Sequence, residues 1–324
     1  MDEELLARIL KTYGVNYTRL LGVQKGYRNE NHPVVTADGQ QLNLIVYKRE
    51  PGILERIRRA NRVADALAAA GFPARRTYDV RIMQLRAGSL TTYASLYAYL
   101  PGATIPWEAY TMGHMKLLGK TMGDMHALLQ SIPGDGLPHV ADEYIAIVHR
   151  MRRYFGDPDV KRAMQQKLDI AIDPGRLDEH LRILAQCKHL PGQQALHMDF
   201  VRGNILFDEA GQVSGVLDFE KTAHGHPLFD IARTYAFLLV DCKYKTPRDV
   251  RKYFLQSGYG KYSKAPFMLN ERNERLLAKL TDLFLLYDFY KFLRHNPYES
   301  LHENEHYMRT GELLGLRSAL SSGL

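Results

Sequence analysis

Two short apolar runs, Asn204-Ile205-Leu206-Phe207 and Val213-Ser214-Gly215-Val216-Leu217, are joined by Asp208-Glu209-Ala210-Gly211, a stretch with turn chemistry. That pattern predicts a β-hairpin in a half of the chain that otherwise carries helical spacing. Whatever packs there must therefore fit a small sheet among helices. Asp199 and Asn204 precede the first run on an irregular segment, and Asp218 directly follows the second. A closed hairpin would bring all three to one end. Hard divalent cations such as Mg²⁺ take oxygen ligands, usually one or two from protein and the rest from phosphate and water, and Asn204 with Asp218 would supply such a pair. Asp199 would remain to orient an attacking hydroxyl and accept its proton, the service phosphoryl transfer asks of a side chain.

The spacing His197-x-Asp199-x-x-x-x-Asn204, followed by Asp218-Phe219-Glu220 and by Pro227-Leu228-Phe229-Asp230-Ile231-Ala232, resembles the aminoglycoside phosphotransferase and choline kinase group of the protein-kinase-like superfamily. The resemblance implies an α+β, two-lobed fold. Residues 1–100 would form a nucleotide-binding lobe, a small antiparallel sheet with one helix, and residues 101–324 a larger helical lobe carrying the catalytic hairpin. ATP and Mg²⁺ would lie in the cleft, with Asn204 and Asp218 on the metal and Asp199 as catalytic base. His197 and Asp230 read as supports of the loop, the second from a helix start. Arg202, inside the loop, is either a contact to the transferred phosphate or a solvated side chain.

The first hundred residues fit the smaller lobe. After an amphipathic helix ending near Gly14, strand-like runs follow over 17–23, 31–35 and 41–48, the last two joined at Asp38-Gly39. Between the first two lies Gly22-Val23-Gln24-Lys25-Gly26-Tyr27-Arg28-Asn29, where glycines let backbone N–H groups approach phosphate oxygens. The resemblance makes this the nucleotide-covering loop, with Gly26 and Asn29 as contacts. Period-two alternation puts Leu42, Leu44, Val46 and Lys48 on one strand face. A lysine ending an apolar face needs an anionic partner, and the resemblance assigns Lys48 to the ATP phosphates. The helix predicted over 52–70 departs from the family pattern. The lysine-pairing Glu would fall near Ala60 or Asn61, and Glu55 lies a turn or more early.

Strand-like runs over 76–85 and 91–100 complete about five strands, and Leu96 to Gly102 resembles the hinge, with the Tyr99 and Leu100 backbone at the adenine edge. Helical spacing then covers 115–129, where His126 on an apolar face reads as a satisfied core histidine. Proline and glycine punctuate two or three helical patterns over 133–192 without recognisable chemistry. Four further helices are predicted over 228–240, 247–256, 274–293 and 301–320. Their aromatics read mostly as core, and Asp241, Asp282 and Asp288 could meet a cationic or sugar-like acceptor.

A net charge of +7 suits an anionic ligand such as a nucleotide, but its Lys and Arg residues are scattered and not interleaved with aromatics, which argues against nucleic acid. No apolar run reaches the roughly 18 residues of a membrane span, and the first residues lack signal-peptide order, so a cytoplasmic location is expected. Cys187 and Cys242 lie in helical stretches and read as buried free thiols. Two other classes stay open. His197, Asp199, His224 and His226 have zinc-ligand spacings suited to a hydrolase. A pseudokinase that binds ATP without transfer would account for the missing helix Glu. The acceptor, ATP or GTP preference and oligomeric state have no signature in the sequence.

Overall fold

The computed structural model describes residues 3–22, 24–25, 29–88, 90–264 and 270–316. The chain divides into two compact units, Met1–Ala103 with Asn204–Lys221, and Thr104–Gly203 with Thr222–Leu324. Gly26 lies outside the described residues.

The first unit is built on an antiparallel sheet. Strands β1 (Tyr17–Leu20), β2 (Gln24–Lys25), β3 (Glu30–Thr36), β4 (Gln41–Tyr47), β5 (Met83–Ala87) and β6 (Leu90–Ala98) run in the order β1-β3-β4-β6-β5, with β2 pairing β3. β4 is central and alternates strictly. Leu42 and Leu44 pack with Leu6, Ile9 and Leu10 of helix α1 (Glu3–Thr12), whereas Ile45 and Tyr47 pack with Ile57 of helix α2 (Ile53–Ala69). Each fully buried leucine or isoleucine contributes about 1.5–3 kcal/mol, so the two helices sandwich the sheet by opposite strand parities. Asp65 of α2 accepts the Thr77 N–H at 2.7 Å, tying the segment after the helix back to it.

The hairpin forms from β8 (Ile205–Phe207) and β9 (Val213–Val216), with Asp208 capping the turn through the Gln212 N–H at 2.8 Å. The sequence placed this hairpin in the larger lobe; its hydrogen bonds tie it to the first unit. Ala74 bridges Val216, Ala103 exchanges bonds with Phe207, and the Ser214 hydroxyl donates to the Pro101 carbonyl at 2.7 Å. Gly102 is needed at this join, since it has φ 122 and a Cβ there would lie 2.8 Å from the Phe207 carbonyl oxygen.

The second unit is helical. It contains α3 (Met112–Leu129), α4 (Val140–Gly156), α5 (Pro158–Leu168), α6 (Pro174–Lys188), α7 (Leu228–Asp241), α8 (Pro247–Val250), α9 (Gly260–Tyr262), α10 (Glu271–His295) and α11 (Glu305–Leu313), with the two-stranded sheet β7 (Gln194–Leu196) and β10 (Ala223–Gly225). Local chemistry sets many of the starts: Thr111 and His114 form a capping box on α3, and Asp157-Pro158 and Asp173-Pro174 cap α5 and α6. Between α8 and α9 the chain winds as a π-helix over Arg251–Tyr259. It lies so close to α3 that a Cβ on Gly119 would collide with the Phe254 carbonyl. Cys187 and Cys242 are buried and free, and among the described residues no helix is long and apolar enough to cross a membrane.

Candidate active site

The loop before the hairpin is fastened from α7. Asp230, at the start of that helix, accepts the His197 N–H at 2.8 Å and the Met198 N–H at 2.5 Å. Its third partner is His126 Nε2 at 3.2 Å, and His126 Nδ1 meets the Tyr259 hydroxyl at 2.9 Å. Burial would raise the Asp230 carboxyl, but His126 and the His197 amide outweigh it and hold it below the usual aspartate range. The π-helix that presents Tyr259 is thus part of the support, as such helices often are near functional sites. His197 in turn accepts the Asp199 N–H on Nδ1 at 3.0 Å, and Met198 between them takes φ 61. His197 and Asp230 have the supporting roles expected of them, and His126, expected as a satisfied core histidine, joins that support through Asp230.

Asp199 itself is 7% exposed and pairs with Arg233, whose guanidinium lies 3.0 Å from its Oδ1 and donates also to the Tyr144 hydroxyl at 3.0 Å. Burial would lower the arginine's affinity for its proton, but Tyr144 and Asp199 more than reverse this. Arg233 was missed in the sequence, although a single cation inside the apolar stretch Leu228–Val240 is the kind of residue that must find a buried partner.

In the first unit, the hairpin closes as expected at its open end: the Leu217 N–H donates to the Asn204 carbonyl at 2.8 Å, and Ile205 pairs with Val216. Asn204 and Asp218 thereby become neighbours across the hairpin, both half-buried. Asp218 adopts the left-handed region with φ 57, which costs a non-glycine residue about 1–2 kcal/mol. Phe219 is fully buried and packs its turn on α2. Two residues past Asp218, Glu220 accepts from the Arg75 guanidinium at 3.1 Å. Burial would push the Glu220 carboxyl up, but the Arg75 charge, with further contributions at Asp218 and its own backbone, outweighs it and holds it below the usual glutamate range. Arg75 also lies 4.2 Å over the Tyr97 ring; the Tyr97 hydroxyl donates to Asn61 at 2.8 Å and lies 2.5 Å from that of Tyr47.

The remaining predicted contacts divide. Lys48 is exposed and lines a cavity of about 580 Å³ with Leu5, Val46, Gln84, Leu85 and Leu90, on the α1 side of the sheet. Its strand parity was read correctly, but that parity points away from α2, where Tyr47, Tyr97, Arg75 and Glu220 gather. Glu55 is exposed and pairs with Arg58, while Ala60 and Asn61 are among the α2 residues turned inward. Asn29 accepts the Lys48 N–H on its side-chain oxygen at 3.2 Å. The Tyr99 N–H donates to the Gln41 carbonyl at 3.2 Å, so of the two hinge residues Leu100 is the candidate amide donor to an adenine. Arg202 is exposed.

Hard oxygen donors at Asn204 and Asp218, with no thiolate or imidazole between them, suit a Mg²⁺ ion that completes its shell with phosphate and water. Among the described residues no three His, Cys, Asp or Glu side chains gather as a metal-holding set, and His226 Nδ1 instead accepts the Leu228 N–H at 3.2 Å. The zinc hydrolase alternative has no geometry behind it. The acidic residues expected at an acceptor pocket are also spoken for: Asp282 pairs with Arg176 and with His180 at 3.0 Å, and Asp241 and Asp288 hold His306 at 2.9 and 2.7 Å, raising that histidine to about 9 despite its burial.

The APH family, described as a phosphotransferase enzyme family, matches residues 19–256. No curated protein matches the chain. Among solved structures it is similar to the amicoumacin kinase hAmiN in complex with AMP-PNP, Ca²⁺ and Ami, with a TM-score of 0.70 at 14% identity over 97% of this chain and 94% of that one. It is similar also to macrolide 2'-phosphotransferase MphH from Brachybacterium faecium, with a TM-score of 0.59 at 16% identity over 97% and 99%. A third is a microcompartment-associated aminopropanol kinase, with a TM-score of 0.57 at 14% identity over 97% and 94%. These likenesses show the protein-kinase-like fold expected from the sequence. The chain belongs to the APH phosphotransferase enzyme family.

Proposed function

We propose that this chain transfers the γ-phosphoryl group of ATP to a hydroxyl of a small-molecule acceptor, with Asn204 and Asp218 holding Mg²⁺ and Asp199 serving the acceptor. The observation that carries this reading is the hairpin closure, the Leu217 N–H bonded to the Asn204 carbonyl, which supports pairing Asn204 with Asp218 at its open end. Mg²⁺ held there would supply charge neutralisation for the nucleotide's phosphate groups. Residues 1–100, with the hairpin, would bind the nucleotide, and the adenine edge would meet the Leu100 amide. We give Lys48 no phosphate contact, because it lies on the α1 side of the sheet. Residues 101–203 and 222–324 would hold the acceptor.

Asp199 is suited to orienting more than to strong basicity. The charge of Arg233, 3.0 Å away, favours the ionised carboxylate, which can only accept hydrogen bonds. Its Oδ1 meets Arg233, and the carboxylate would accept a substrate O–H as part of the chemistry. In a loose phosphoryl-transfer transition state the hydroxyl proton leaves late, so a positioned, weakly basic carboxylate suffices. The neighbours named above act on amicoumacin, a macrolide and aminopropanol, so the acceptor is sought among hydroxyl-bearing amines and antibiotics.

The test is transfer of labelled phosphate from ATP, with Mg²⁺, to a panel of amino alcohols, aminoglycosides, macrolides and sugars, with Asp199→Asn run alongside. Transfer to one class, reduced about 10²–10⁴-fold in the variant, is the expected result. Undiminished transfer by Asp199→Asn would remove Asp199 from the chemistry. Nucleotide binding without transfer to any acceptor would favour the pseudokinase alternative, for which the absent helix Glu speaks.

A further inference from the structure

The helix α2 position where a lysine-pairing glutamate was expected holds Asn61, which accepts from the Tyr97 hydroxyl, and the strand face opposite it carries Tyr47. No carboxylate on that helix anchors the site from behind. A different charged pair occupies the same layer. Arg75, 5% exposed, donates its backbone N–H to the Val216 carbonyl at 3.1 Å, and the Pro73 carbonyl beside it accepts the Val216 N–H at 2.7 Å. Its side chain lies over Tyr97 and reaches Glu220. Val216 and Glu220 flank the segment Leu217-Asp218-Phe219. Arg75 therefore grips the chain on both sides of Asp218, by backbone before it and by side chain after it, and its charge also attracts Asp218 itself.

That grip matters because Asp218 is in the left-handed region, a conformation that persists only where its surroundings over-determine it. The backbone bonds at Val216 fix the entry to the turn and the Glu220 pair fixes the exit, so the direction of the Asp218 carboxylate is set between two fastened points. A buried guanidinium stacked on an aromatic ring is well suited to this, being planar, always charged and forked.

We propose that Arg75 is the positioning residue for Asp218, and that the Arg75–Glu220 pair does in this chain the anchoring work of the absent strand-lysine and helix-glutamate pair. The proposal rests on the reading of Asp218 as a Mg²⁺ ligand. It makes Arg75, acting through Asp218, a determinant of metal-dependent nucleotide binding.

The test measures AMP-PNP affinity by calorimetry, with Mg²⁺ and in EDTA, for the full chain, Arg75→Met, Arg75→Lys, Glu220→Gln, Asp218→Asn and the double variant Arg75→Met/Glu220→Gln. Loss of a supporting partner behind a metal ligand commonly costs about 10–100-fold in metal affinity. Arg75→Met is therefore expected to lose about that much of the Mg²⁺-dependent gain in affinity while keeping the affinity in EDTA. Arg75→Lys, which cannot reproduce the planar stack over Tyr97, should recover only part. The double variant removes both buried charges together, so it avoids the isolated charge that could unfold a single variant, and it should show the same metal defect in a folded protein. A folded double variant with the wild-type Mg²⁺ gain would overturn the role of Arg75. If Asp218→Asn itself kept that gain, the metal reading of Asp218 would fall, and the proposal with it.

Discussion

In the helical unit, Asp199 sits on a loop whose preceding residues are tied by backbone hydrogen bonds to one carboxylate, Asp230, which is itself held by His126 and Tyr259. In the sheet unit, Asp218 sits on a turn that pays a conformational cost and is held in place by an arginine from a distant segment. The first arrangement is a network in which nearly every bond stabilises the fold as well as the site. The second sacrifices local stability for the direction of one side chain, as functional turns often do. A buried arginine appears in both, and its task differs: Arg233 meets Asp199 directly, whereas Arg75 acts on the backbone around Asp218.

The contrast predicts that removing Asp230, which holds its loop, costs far more stability than removing Asp218, which sits on the strained turn. Asp230→Ala leaves two loop amides and a buried histidine without their acceptor. It should cost about 3–5 kcal/mol of unfolding free energy, the scale of a broken buried pair with its hydrogen bonds. Denaturant melts compared with wild type measure this, and a loss below 1 kcal/mol would mean that the loop is held some other way. Asp218→Gly should stay within about 1 kcal/mol of wild type, because glycine's relief of φ 57 is offset by the freedom it gives the unfolded chain and by loss of the attraction to Arg75. The same melts would refute the strain argument if this variant lost more than about 1 kcal/mol.

Much of this site was visible in the chain alone because its parts are local. The hairpin has its turn residues in place, and Asn204 and Asp218 are brought together by pairing that the apolar runs already specify. Asp230 lies in a motif at a helix start, and His126 falls on an apolar helical face. Lys48 shows where local reading stops. Alternation correctly put it on the face of Leu42 and Leu44, yet which face meets α1 and which meets α2 is decided by packing between segments far apart in sequence. Arg75 had no local signature at all, since its partner Glu220 lies 145 residues away. The acceptor pocket is illegible for a related reason: Asp241, Asp282 and Asp288 looked available as isolated carboxylates, and their partners His306, Arg176 and His180 come from elsewhere in the chain.

The division of labour between the two carboxylates is tested most directly by calorimetric titration of AMP-PNP into wild type, Asp199→Asn and Asp218→Asn, each with Mg²⁺ and in EDTA. Asp199→Asn should bind within about threefold of wild type under both conditions, because a group that acts on the acceptor adds little to ground-state nucleotide binding. Asp218→Asn should match wild type in EDTA and lose most of the gain that Mg²⁺ confers. Equal loss of Mg²⁺-dependent affinity in the two variants would contradict the account.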